Sequence, residues 1–196
     1  MSKSLSSSAR GAGAVRIIAG RWRGSRLTVA DAPGLRPTSD RVRETLFNWL
    51  MPYLPGATVL DAFAGSGALG FEAASRGAAQ VVLLEREPRL VQSLAQQMQK
   101  LEGAHEVVNV LPGDTLSLLP TLAQQGQRFD IAFIDPPFAE NLWERVLPQL
   151  LPLMNTGGML YVEMPKNAPP AVLPQDWQLH REIATREMVG RLYRRD

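Results

Sequence analysis

Residues 61–70 read Asp61-Ala62-Phe63-Ala64-Gly65-Ser66-Gly67-Ala68-Leu69-Gly70. The apolar run 57–63 (ATVLDAF) leads into this stretch and a helical pattern over 67–76 follows it, so the glycines sit where a strand turns into a helix. Glycine there permits a tight turn and lets a ligand approach the backbone, while the start of the helix offers unpaired N–H groups. Gly65, Gly67 and Gly70 match the spacing G-x-G-x-x-G of nucleotide-binding turns. The spacing alone is also met by turns that bind nothing.

The pattern continues downstream. Apolar runs recur at 80–85 (QVVLLE), 106–111 (EVVNVL), 129–134 (FDIAFI) and 158–163 (GMLYVE), with helical stretches at 88–102, 115–125 and 140–154 between them. Unbroken apolar strands alternating with helices predict an α/β domain: a mostly parallel sheet with helices on both faces. The segment 177–195, with WQLHREIA and GRLYRR around Gly190, reads as a closing antiparallel hairpin. Upstream, residues 16–30 alternate apolar and Arg-rich steps around Gly20 and Gly24, which predicts a small hairpin. A Gly/Pro loop at 34–39 follows. Thr38, Ser39 and Asp40 then offer an N-cap for a helix to about Leu50. Val42, Leu46, Trp49 and Leu50 would face the core, with Arg41 and Arg43 on other faces. Residues 1–14, rich in Ser, Gly and Ala without an apolar centre, read as a disordered tail and not as a secretory signal. The expected layout is that tail, an N-terminal hairpin-and-helix extension over 15–55, and the main domain over 56–196.

Composition narrows the chemistry. With no cysteine there is no disulfide and no Cys-ligated zinc, and neither His105 nor His180 has metal-ligand spacing around it. No metal is expected. No apolar run approaches the ~20 residues that span a bilayer, so no membrane is expected; with no cysteine in the chain, a cytoplasmic location is the default expectation. The net charge of +2 hides an asymmetry. Residues 1–60 hold nine Lys/Arg against three Asp/Glu, residues 61–180 seven against thirteen, and residues 181–196 five against three. Basic ends on an acidic body suit a polyanionic partner, although solvated arginines give the same count.

The acids have positions that mean something. Asp61 precedes the glycines, Glu85 ends the second strand 18 residues after Gly67, and Asp114 follows the third. A carboxylate at Glu85 can accept from both hydroxyls of a ribose. Three carboxylates around one turn suit a cation better than a diphosphate. S-adenosylmethionine, with its sulfonium and ammonium and no pyrophosphate, is favoured over a nicotinamide dinucleotide. The fourth strand ends in Asp135-Pro136-Pro137-Phe138, at the strand end where open α/β sheets bind ligands. An exocyclic amine on a nucleobase is a poor nucleophile because its lone pair is delocalised into the ring. Acceptors at the Asp135 carboxyl and the Pro136 carbonyl can enrich and orient that nitrogen, Pro136 and Pro137 stiffen the loop, and Phe138 can stack on the base for about 1–3 kcal/mol. A base inside a helix must be flipped out to reach such a pocket.

The glycine turn and the Asp-Pro-Pro-Phe motif, in this order, resemble amino-methyltransferases with a (D/N/S)-P-P-(Y/F/W) signature. The run Arg16–Gly24 (RIIAGRWRG), the run Gly34–Leu50 (GLRPTSDRVRETLFNWL) and the tail Tyr193-Arg194-Arg195 extend the resemblance to the RsmD family over about residues 16–195. That resemblance implies a Rossmann-like class I methyltransferase fold with a seven-stranded sheet. The activity it implies is S-adenosylmethionine-dependent methylation of the exocyclic N2 of a specific guanine in bacterial 16S rRNA, within the small ribosomal subunit or its assembly intermediate. It places the cofactor on Asp61, Phe63, Ala64, Gly65, Ser66 and Gly67, with Glu85 on the ribose, Asp114 on the adenine and Thr38 close by. Asp135, Pro136, Pro137 and Phe138 would hold the guanine, and Arg21, Arg23, Arg26, Arg36, Arg41 and Arg43 would meet RNA. A monomer is expected. Two features depart from the family: residues 1–14 have no counterpart, and Glu87 stands where many relatives have Asp or Asn.

Three rivals make different predictions. An adenine-N6 methyltransferase shares the motif, but a sequence-specific DNA enzyme usually carries a recognition region for which there is no room. A non-catalytic rRNA-binding assembly factor has no need of Asp135–Phe138. A nicotinamide-dependent oxidoreductase leaves Asp114 and the Asp-Pro-Pro-Phe motif unexplained.

Overall fold

The computed structural model describes residues 13–29 and 39–196. Thr38, Arg36 and nearly all of the 34–39 loop lie outside the described residues, as does most of the N-terminal tail. Two short strands, β1 (Gly13–Arg16) and β2 (Arg26–Val29), pair antiparallel; the hairpin expected over 16–30 thus begins earlier, and Gly13 and Ala14, read as part of the tail, are strand residues paired with Val29 and Thr28. Helix α1 (Asp40–Leu50) follows, and the Ser39 hydroxyl caps it by accepting from the Val42 N–H at 3.4 Å. The main domain then runs β3 (Thr58–Asp61), α2 (Ala68–Ser75), β4 (Gln80–Glu85), α3 (Pro88–Lys100), α4 (Ala104–Val107), β5 (Val108–Pro112), α5 (Thr115–Gln124), β6 (Phe129–Ile134), α6 (Trp143–Leu150), β7 (Met154–Pro165), β8 (Trp177–Ala184) and β9 (Met188–Arg195).

The sheet has seven strands in the order β5-β4-β3-β6-β7-β9-β8. Five pair in parallel, and β9 runs antiparallel to both its neighbours. The chain winds from β3 outward to β4 and β5, then returns to the other side of β3 to lay down β6 and β7. That reversal opens a crevice beyond the carboxyl ends of β3 and β6, where such sheets take their ligands.

Strand residues alternate between two apolar layers. Val59, Leu83, Phe133 and Tyr161 pack under α1 and α2 with Phe47 and Phe71. Leu60, Leu84, Ile134 and Val162 pack on the opposite face with Leu119 of α5 and Val146 of α6. Because both faces are covered, the strands read as unbroken apolar runs.

The extension is bound tightly to α2. The buried carboxylate of Glu72 accepts from the N–H groups of Ile18 (2.7 Å) and Ala19 (3.1 Å), and Ser75 accepts from Trp22 N–H at 2.9 Å. Trp22 is buried and its indole N–H reaches the Glu102 carbonyl at 3.0 Å. Gly20, at φ 84°, passes so close to Ser75 that an added Cβ would lie 1.9 Å from its carbonyl oxygen.

Several expected boundaries shift. The third strand begins at Val108 because residues 104–107 form the short α4. The helix expected over 140–154 is shorter, with 3₁₀ turns at 138–140 and 151–153 on either side of α6. The final hairpin turns at 185–187; Gly190 lies inside β9, pressed against Tyr161, and does not make the turn. Among the described residues, no helix is long and apolar enough to cross a membrane.

Candidate active site

Strand register puts the acids in an ordered row. Asp61 pairs with Leu83 of β4 and Phe133 of β6, and Phe133 pairs with Tyr161 of β7. Side chains repeat every second residue on one face, so Glu85, Asp135 and Glu163 each stand one step above that level, on the face Asp61 shares. All four line one cavity of about 1060 Å³, together with Phe63, Ala64, Gly65, Ser66, Asp114, Pro136, Pro137 and Phe138.

The glycine turn holds its shape through the backbone. Gly67 N–H donates to the Ala64 carbonyl (2.7 Å) and Ala64 N–H to the Leu84 carbonyl (3.0 Å). Gly67 caps α2 at φ 77°, and a Cβ there would sit 2.6 Å from the Phe71 ring, so glycine is needed at this point although the residue does not line the cavity. Glu85 is oriented from both sides: Oε2 accepts from Gly65 N–H and Oε1 from Glu87 N–H, each at 2.8 Å. Asp114 caps α5 by accepting from Ser117 N–H at 3.3 Å, and the buried Thr115 hydroxyl donates to the Ala62 carbonyl at 2.5 Å.

Asp61 is buried and accepts from Gly70 N–H at 3.1 Å. Burial pushes its carboxyl up to about 7, hydrogen bonds from Gly70 and Phe63 pull it down, and nearby Glu85 adds to the rise. Asp135 is half-buried, and its carboxyl is held well above the ordinary carboxylate range, first by desolvation and then by Glu163 and Asp61. A cavity that makes its own acids reluctant to ionise is one that a cation or a set of donors stabilises.

On the outer side, the Phe138 ring lies 6.0 Å from buried Trp143 and is itself 39% exposed, so one of its sides is open. An Arg86–Glu140 ion pair ties the loop after β4 to the segment after the proline pair.

The expected cofactor and base residues among the described positions thus come together, apart from Gly67, which shapes the turn. The arginines divide. Arg21, Arg23, Arg26 and Arg41 are exposed. Arg43 is not: its side chain is fully buried, donating to the Arg16 carbonyl (2.9 Å) and Asp40 Oδ1 (2.6 Å), with Nη1 3.9 Å from Glu72. The expectation that it meets RNA is corrected; it stitches β1 to α1 and α2. Glu163 went unnoticed in the sequence, although it ends its apolar run as Glu85 and Asp135 do. Thr185 and Arg186, which reach the cavity from the β8–β9 turn, carry no sequence signal. Among the described residues no group of three or more His, Asp or Glu side chains is placed to hold a metal ion.

The comparisons agree with this geometry. The family model "Conserved hypothetical protein 95" matches residues 15–194. The Haemophilus influenzae protein named ribosomal RNA small subunit methyltransferase D is 44% identical over 183 residues, covering 92% of this chain and 94% of that protein. The Escherichia coli K12 protein of the same name is 44% identical over 193 residues, covering 95% and 92%. A solved Escherichia coli structure described as that of a methyltransferase superposes with a TM-score of 0.82 at 39% identity, covering 94% of this chain and 99% of that one. A strand-end row of acids around a glycine turn, the Asp-Pro-Pro-Phe motif beside it, and matches along nearly the whole length leave one conclusion: the chain belongs to the RsmD family of small-subunit ribosomal RNA methyltransferases.

Proposed function

We propose that this protein transfers the methyl group of S-adenosylmethionine to the exocyclic N2 of a guanine in 16S rRNA, acting as a cytoplasmic monomer on the small subunit or its assembly intermediate. The observation that carries the reading is the placement of Asp135–Phe138 and the glycine turn on adjacent strands, facing one cavity across the reversal in strand order.

The residues fit the cofactor. The turn at 64–67 leaves backbone open to a ligand, Asp61 offers a buried carboxyl for an ammonium, Glu85 presents an oriented carboxylate for ribose hydroxyls, and Asp114 is exposed at the rim for an adenine amine. The bound cofactor would supply an electrophilic methyl on a sulfonium. A cation beside Asp61 would favour the charged form that burial opposes.

The chain's own work is on the amine. The Asp135 carboxyl and the Pro136 carbonyl accept its hydrogens and orient its lone pair, and Phe138 stacks on the ring. On accepting the methyl group that the bound cofactor would supply, the nitrogen would have to release a proton. Asp135, made more basic by burial and by Glu163, is suited to take it. Exposed Arg21, Arg23, Arg26 and Arg41 would contact phosphates, with Arg36 in the segment leading to α1 and Arg186 at the cavity, while Thr38 would lie close to the cofactor.

Transfer from labelled S-adenosylmethionine to undermethylated small subunits, naked rRNA and duplex DNA, followed by nucleoside analysis, tests the proposal. N2-methylguanosine from the subunits is the expected product. N6-methyladenosine would overturn the base assignment. Absence of transfer to all three, with cofactor bound, would point to a binding protein.

A further inference from the structure

The row of strand-end acids runs one strand beyond the Asp-Pro-Pro-Phe motif. Ile134 pairs with Val162 on the last rung between β6 and β7, and the residues that follow on these neighbouring strands are Asp135 and Glu163, close enough for Glu163 to act electrostatically on Asp135. Both project from the face that carries Phe133 and Tyr161, and both line the cavity. Glu163 is only 7% exposed.

Its position is well supported. The Tyr161 hydroxyl donates to Oε2 at 3.1 Å, and the Glu163 carbonyl accepts from the Trp143 indole N–H at 2.9 Å. Trp143 also backs the Phe138 ring. One indole therefore braces both the stacking ring and the strand that carries Glu163, so the carboxylate keeps a constant relation to a base stacked on Phe138.

The edge of guanine that bears the amino group shows two donors side by side, N2–H and the ring N1–H. The corresponding edge of adenine shows N6–H beside a bare N1 lone pair. Two adjacent carboxyls match the first edge and oppose the second. A carboxylate has about four acceptor positions, so Glu163 can accept from a base as well as from Tyr161. We propose that Glu163 selects guanine, its carboxylate accepting from the ring N1–H while Asp135 accepts from the exocyclic amine. This rests on the guanine-N2 reading above. An adenine placed with its amine at Asp135 would set a lone pair against Glu163, and sites built to hydrogen-bond a donor reject analogues that lack it.

The test uses the full-length protein, wild type and Glu163→Gln. Substrates are undermethylated small subunits with guanine at the methylated position, located from the wild-type product, or with adenine placed there by rRNA mutation. The amide keeps an acceptor for Tyr161 and adds a donor for adenine N1. The guanine-over-adenine ratio of kcat/KM should fall by about 10- to 100-fold, with N6-methyladenosine appearing and cofactor affinity unchanged within a few-fold. A ratio equal to wild type overturns the proposal. So does a folded, cofactor-binding variant that methylates neither base, which would place Glu163 in the transfer step itself. If thermal unfolding shows that Glu163→Gln does not fold, Glu163→Asp decides, since it withdraws the carboxylate by one methylene. A loss of about 10-fold or more in kcat/KM on guanine at constant cofactor affinity supports base contact, and unchanged kcat/KM refutes it. Wild type yielding no N2-methylguanosine would instead sink the guanine-N2 reading, whatever the variants do.

Discussion

Asp61→Asn should remove a pH dependence from the stability of the ligand-free protein. Asp61 is 2% exposed, and burial raises its carboxyl from the ordinary 3.8 to about 7. Between those values the folded chain holds a proton that the unfolded chain has released. The associated stability is fully present below 3.8 and is lost as pH rises through about 7. Each tenfold step in proton concentration within the window is worth about 1.4 kcal/mol, so from pH 5 to pH 8 the loss amounts to about 2.5 kcal/mol. Asn cannot titrate. It carries a constant offset, because its single amide oxygen replaces two carboxyl oxygens as acceptor for Gly70 and Phe63. Urea unfolding of both proteins at pH 5, 6, 7 and 8 isolates the effect: the stability difference should move by about 2.5 kcal/mol in favour of Asn across the series. A difference that stays constant from pH 5 to pH 8 refutes the assignment of this titration to Asp61. If Asp61 holds the cofactor's ammonium, wild-type affinity for S-adenosylmethionine should weaken by up to about tenfold per pH unit below 7, and the variant's should not.

Three further perturbations bear on separate parts of the molecule. Asp135→Ala should abolish methyl transfer while leaving cofactor affinity within a few-fold by calorimetry; surviving activity would rule out Asp135 as the amine's acceptor. Glu72→Ala removes the acceptor for Ile18, Ala19 and Arg76 and takes away the buried negative charge 3.9 Å from Arg43, which keeps only Asp40 and the Arg16 carbonyl, so stability should fall by about 3–5 kcal/mol, and an unchanged urea midpoint would show that Glu72 is not the hub of this contact. Replacing the exposed Arg21 and Arg23 together with Ala should lower RNA affinity and flatten its dependence on salt; an unaltered salt slope would remove both from the RNA contact.

Much of this protein can be read from local pattern. The glycine turn, the acids at Asp61, Glu85 and Asp135, and the proline pair each announce themselves within a few residues, because tight turns and strand ends impose their requirements on neighbours in the chain. The alternation of apolar runs and helices likewise suffices for a mostly parallel covered sheet, since burial on both faces leaves no polar period. Helix α4 was hidden because its four residues, Ala104–Val107, run into an apolar strand with no pattern break.

Other features depend on which strands become neighbours. Glu163 reaches the site only because β7 lies beside β6, and Arg186 only because β9 and β8 continue that order and swing their turn over the cavity. No spacing in the sequence encodes that adjacency, since it arises from the packing of whole strands. Arg43 makes the same point in reverse. Among so many basic residues its default is a solvated surface, and its burial is tolerable only where Asp40, the Arg16 carbonyl and Glu72 converge on it from three elements. A local sequence determines what a residue can do at short range; the tertiary fold decides which charges lose water and which acquire partners.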